Sequence, residues 1–128
     1  MNQSAQMLTA LAEARRQFLQ TVAGISESDA RRRPDDAEWS VIEVLAHMID
    51  VDDCYLGQAL AICHMPGIAF THFDDDAWKR THPGPDEFDL ADVLARLARS
   101  HQRILESAAM LTEAELSTPC VHPRRTLP

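Results

Sequence analysis

Glycine is scarce, at four residues in 128. No glycine-rich phosphate loop, nucleophile elbow or HExxH stretch occurs, so no motif for nucleotide cradling or for the common hydrolase chemistries is present. Cysteine is limited to Cys54, Cys63 and Cys120. An odd count with no CxxC spacing argues against a disulfide framework and for a reducing compartment. Basic charge is in deficit: 12 Lys and Arg stand against 20 Asp and Glu, a net charge of −8. A phosphate backbone is therefore excluded as a natural partner, and the one dense basic run, Arg31 to Arg33, is too short for a binding arm. No apolar run approaches membrane-spanning length, and Met1 to Ser4 lack the basic and apolar regions of a signal peptide. The expectation is a cytoplasmic protein with no nucleic-acid or membrane partner. Internal repeats, low-complexity tracts and strand-like alternation are also absent.

Three long helical patterns are present. The first runs roughly from Ser4 to Ala23, with Met7, Leu11, Ala14, Phe18 and Val22 on one face, and Gly24 supplies a stop. A connection follows from Ile25 to Glu38, in which Ser26 can cap a short turn and Pro34 punctuates. The second pattern runs from Val41 to about His64. Ser40 is its N-cap, Glu43 completes a capping box, and Pro66 with Gly67 ends it. One row of this helix reads Val44, His47, Val51 and Cys54; the next reads Leu45, Met48, Asp52, Tyr55, Ala59 and Ile62. Residues 66 to 88 form a long crossover holding His72, Asp74 to Asp76, Trp78 and His82; a connection of that length often wraps a core or carries function. Asp89 caps the third helix, Leu90 to about Leu111, whose seam is read as Leu90, Leu94, Leu97, His101, Ile104, Ala108 and Leu111. Thr112 and Glu115 make a second capping box over one short turn.

The chemistry-bearing candidates are few. His47 shares part of a helical face with Asp50 at i+3 and with Cys54 one turn further. Neutral imidazole is the commonest metal ligand, but a metal needs three or four converging donors. The plainer reading is a half-buried histidine bonded to a neighbour, with Asp50 solvated and Cys54 a small packed residue. His101 in the third seam is either a pocket-lining ligand or general base, or a core histidine satisfied by a polar neighbour. His64, His72, His82 and His122 lie in or beside loops and read as surface, with His122 placed to fold back over a pocket. Asp74 to Asp76 lack the glycine and closing glutamate of a calcium loop and read as a solvated turn or as the cap of a short helix holding Trp78.

Trp39 and Ser40 followed by Glu43, then Leu45, Ala46, His47, Met48 and Asp50, resemble the second-helix signature of the DinB/YfiT-like superfamily. The layout agrees over nearly the whole chain, and Val121 to Leu127 resembles the link into that family's last helix. The resemblance implies an all-α, up-down four-helix bundle, often dimeric. It implies a divalent metal, zinc or nickel, held by one histidine of the second helix and by an HxxxH pair on the fourth. Activities in the family are thiol S-transfer, with low-molecular-weight thiols such as bacillithiol or mycothiol, and metal-dependent hydrolysis. The second-helix ligand carries over to His47. The HxxxH pair carries over to nothing, since none of the six histidines stands four residues from another.

The expectation is a single DinB-like domain over 1–128, truncated at its C-terminus, with the fourth helix missing. Its leading function is a metal-dependent thiol S-transferase or hydrolase of small-molecule metabolism, impaired by an incomplete metal site at His47, with Asp50, His101 and His122 as substitute donors. The rival is a non-catalytic helical module that binds a partner or dimerises without metal; a plain three-helix domain is the third reading. An apolar groove lined by Val44, Val51, Leu94 and Leu97, facing the missing helix, predicts a homodimer.

Overall fold

A computed structural model describes residues 3–82 and 84–118. Its elements are helices: α1 Gln3–Val22, α2 Glu27–Arg31, α3 Val41–His64, α4 Asp75–Thr81, α5 Leu90–Ala109 and α6 Glu113–Leu116, with a 3₁₀ turn at Pro85–Glu87. No β-strand element forms among the described residues. The architecture is all-α, as the spacing predicts, with three long helices and three short ones among the described residues.

Local chemistry sets most boundaries. Gly24, at φ +77°, turns the chain after α1, and Gly67, at φ +88°, does so after α3; this left-handed region strains any residue with a Cβ. Ser26 caps α2 by accepting the Asp29 N–H. Ser40 and Glu43 form a reciprocal box at the start of α3, and Thr112 and Glu115 repeat it on α6. Asp74 and Asp89 cap α4 and α5. Each cap satisfies N–H groups that a helix terminus leaves without partners.

The core centres on the α3–α5 contact. Ile42, Leu45, Ala46 and Ile49 of α3 meet Leu90, Val93 and Leu97 of α5, with Ala30 and Trp78 closing the ends. A fully buried leucine or isoleucine contributes about 1.5–3 kcal/mol. α1 also packs on α5, but α1 and α3 barely meet. Between residues 5 and 22, α1 buries no side chain fully; Phe18, Leu19 and Val22 lean half-buried against the core. No helix is long and apolar enough to cross a membrane, among the described residues.

Two expectations shift. The buried ridge of α5 runs through Leu90, Val93, Leu97 and Ser100, whereas Leu94 is 36% exposed. Ser100 can enter the core because its hydroxyl donates to Asp52 at 2.8 Å, which turns the helix toward the Val93 side. The expected groove is corrected with it: Leu97 is only 1% exposed and lines no open surface. The open apolar trough lies instead between α1 and α3. Residues 119–128, with His122 and the Val121–Leu127 link, lie outside the described residues.

Candidate functional site

His47 sits two turns into α3, where the Ser40 cap sets the helix phase. Glu43 anchors that cap. Its carboxylate accepts from Ser40 N at 3.0 Å and from Ser40 Oγ at 2.9 Å, and from Arg33 Nε and Nη2 at 2.8 and 2.7 Å. Burial alone would raise the Glu43 carboxyl, but the Arg33 fork and the Ser40 hydrogen bonds outweigh it and hold the group below the usual glutamate value. One turn further on, His47 is sheltered by the crossover and not by the bundle interior. Its Nε2 and Asp75 Oδ1 are 2.6 Å apart, and the imidazole is 16% exposed.

The ring is walled by aromatics. Trp39, Phe73 and Trp78 stand 4.8, 5.2 and 5.3 Å from it, the Trp39, Phe73 and Trp78 contacts all edge-on, a geometry aromatic rings favour. Trp78, nearly fully buried, donates from its indole Nε1 to Asp50 Oδ2 at 2.7 Å. His82 stacks on the other part of Trp78 at 4.2 Å. The crossover before α4 is pinned to α3 as well: the Gln58 amide pairs with Thr71 N and O at 2.7 and 2.8 Å, and Tyr55 Oη accepts from Phe73 N at 3.1 Å.

This geometry decides whether the described donors fit a metal. An ionised carboxylate only accepts hydrogen bonds. Asp75 therefore occupies His47 Nε2, which leaves Nδ1 as the ring nitrogen open to a metal. Asp50 shares the face of His47, but its carboxylate is engaged by Trp78. Cys54 receives the Gln58 amide at 3.4 Å. His101 is not at this face: it lies half-buried on α5, within electrostatic range of Arg15 and Asp52. No group of three His, Cys, Asp or Glu side chains able to hold a metal exists among the described residues. The described residues do not fit a zinc or nickel ion, and His122 lies outside them.

A second polar cluster lies within electrostatic range of His101. Arg15 Nη2 of α1 spans both oxygens of Asp52 of α3 at 2.9 and 3.0 Å, and Ser100 of α5 completes it. Burial, then the Arg15 charge, lowers the His101 pKa; Asp52 opposes them and loses. The sequence carried a signal for this cluster. Asp52 interrupts the apolar row Leu45, Met48, Tyr55, Ala59, and Arg15 stands one turn from both Leu11 and Phe18. A charge in an apolar row needs a partner. The aromatic wall of His47 had a weaker signal: a tryptophan inside a charged loop.

A family model described as the DinB superfamily matches residues 10–128. No curated protein and no solved structure matches the chain.

Proposed function

The chain belongs to the DinB superfamily, and from that premise we propose that it is a helical binding domain whose His47 face is a packed joint, not a metal centre. The observation that carries this reading is the double latch of α4 onto α3. Asp75 engages His47 at 2.6 Å, and Trp78 engages Asp50 at 2.7 Å. One nitrogen of His47 and one oxygen of Asp50, the side chains a metal would recruit from this face, are already used to hold the crossover.

The second reading is the family's activity, metal-dependent thiol S-transfer or hydrolysis of a small molecule. Family membership and the presence of His47 at the signature position favour it. A bound metal would lower the pKa of a thiol or water. The chain's own described residues supply at most one open imidazole nitrogen toward it.

Isothermal titration of zinc and of nickel into the 128-residue chain at neutral pH separates the two. Weak or undetectable binding is expected, since one or two donors cannot match a closed three-ligand site. A stoichiometric submicromolar site abolished by His47→Ala would overturn the proposal and restore the enzyme reading.

A further inference from the structure

The trough between α1 and α3 holds a cavity of ≈ 400 Å³, C-terminal along α3 to the His47 joint. Four elements wall it: Met7 and Leu11 of α1, Leu60 of α3, Ile104 of α5 and Leu116 of α6 are among its lining. α6 is fastened as its end, with the Cys63 thiol donating to Glu115 O at 3.5 Å.

The carboxylates and the phenol oxygen in the described lining are already committed. Asp52 takes two hydrogen bonds from Arg15 and one from Ser100. Tyr55 Oη takes one from Phe73 N, and the Glu115 carboxylate takes the Thr112 N–H at 3.0 Å. A cation would have to displace Arg15 from Asp52. An anion would face the Asp52 and Glu115 carboxylates, and hydrogen bonds from the Thr112 backbone and hydroxyl keep Glu115 ionised by lowering its pKa. Beside these the described lining adds only the Thr118 hydroxyl and the Cys63 thiol to its apolar side chains, so an occupant has no charge to neutralise.

Size narrows it further. A helix with side chains is about 10–12 Å across, so one 5.4 Å turn fills roughly 400–600 Å³. The cavity admits about one turn, too little for a docked helix. At about 30 Å³ per atom-sized unit of liquid, it suits roughly a dozen non-hydrogen atoms, within the usual range of small-molecule pockets.

We propose that this cavity binds a small, uncharged, apolar molecule of about the size of two or three fused or linked rings. The proposal rests on the binding-domain reading above but uses none of the residues of the His47 face, so the two stand or fall on different measurements.

The test uses 1-aminonaphthalene, a two-ring dye that is uncharged at neutral pH, fits the dozen-atom size and shifts its emission when removed from water. Titration into the 128-residue chain is expected to saturate at one dye per chain, with a Kd on the order of 10–100 μM. Ala59→Trp fills the cavity from α3 and Leu11→Trp fills it from α1. Both positions are exposed at the cavity rim, at the edge and not in the core, and circular dichroism reports whether each variant keeps its helicity. Either folded variant is expected to weaken the dye at least tenfold, while His47→Ala leaves it within twofold. Absence of saturable binding, or equal binding by wild type and a folded tryptophan variant, overturns the proposal. A dimer that Ala59→Trp dissociates, with no saturable dye uptake by wild type, also overturns it and makes a second copy of the chain the occupant.

Discussion

His47 shows how a residue's partners, and not its type, fix its role. Its imidazole has one strong polar partner, Asp75, and three aromatic walls. Removing it breaks the hydrogen bond and leaves a hole among Trp39, Phe73 and Trp78. Asp75 is 66% exposed and rehydrates, so no stranded charge adds to the cost. His47→Ala is expected to cost about 2 kcal/mol, read as a lower urea midpoint, with no dependence on added zinc. A change confined to metal binding, with stability untouched, would contradict the latch. The residue-scale signals that could be read in the chain were those spanning three positions. Ser40 with Glu43 and Thr112 with Glu115 both formed the boxes their spacing predicts, because a cap and its target share one helical turn. Asp75 is 28 residues from His47, and no local pattern joins them.

At the level of elements, the Arg15–Asp52–Ser100 cluster ties α1, α3 and α5 together. It is the one polar contact spanning all three long helices for which positions are described, and its charged members are 12% and 11% exposed. Asp52→Ala leaves Arg15 half-enclosed without its counter-charge, at a cost of about 3 kcal/mol. The loss should fall on α1 first, since that helix buries no side chain fully and leans on the core through Phe18, Leu19 and Val22. Hydrogen exchange in wild type is expected to show α1 amides opening before those of α3 and α5, and Asp52→Ala should widen that gap. Uniform protection across the three long helices would sink this account. The helix pattern was legible element by element; the short helix at Trp78 was one of two readings of Asp74 to Asp76, and it is the one that forms, with Asp74 as its cap. The facing of α5 was not: Leu94 and His101 fit the apolar seam as well as Val93 and Ser100 do, until Asp52 supplies a partner for the serine.

For the molecule as a whole, the depressed groups act on stability in the same direction, and the two that sit within the packed helices are His101 and Glu43. His101 is held below its ordinary value by burial and by Arg15, and Glu43 by Arg33 and Ser40 acting against burial. In each case the unfolded chain binds protons more readily than the folded one, so stability falls as pH falls. The His101 contribution is complete above about pH 6.5 and the Glu43 contribution above about pH 4.3, the unfolded values. Each is lost as pH drops through the lower folded value. The urea midpoint is therefore expected to decline in two steps between pH 7.5 and 3. His101→Asn should flatten the upper step and leave the lower one. Glu43→Gln should shrink the lower step, leaving the part due to the exposed Glu13 and Glu115, at a cost of about 1–3 kcal/mol at neutral pH, since Arg33 loses its fork. A midpoint that is flat from pH 7.5 to 5 in wild type would contradict the His101 assignment.

The sequence by itself determined the all-α class, the three long helices, their caps and the position of His47 in the family's signature. These follow from periodicity and from contacts within one turn, which need no knowledge of the rest of the chain. Tertiary structure alone decided what His47 touches, which side of α5 is buried, and where the apolar opening lies. Those depend on how the crossover returns over α3 and on how α1 and α3 divide α5 between them. Partners separated by 28 and 37 residues meet only once the helices have packed, and that packing gives His47 a carboxylate partner from the crossover.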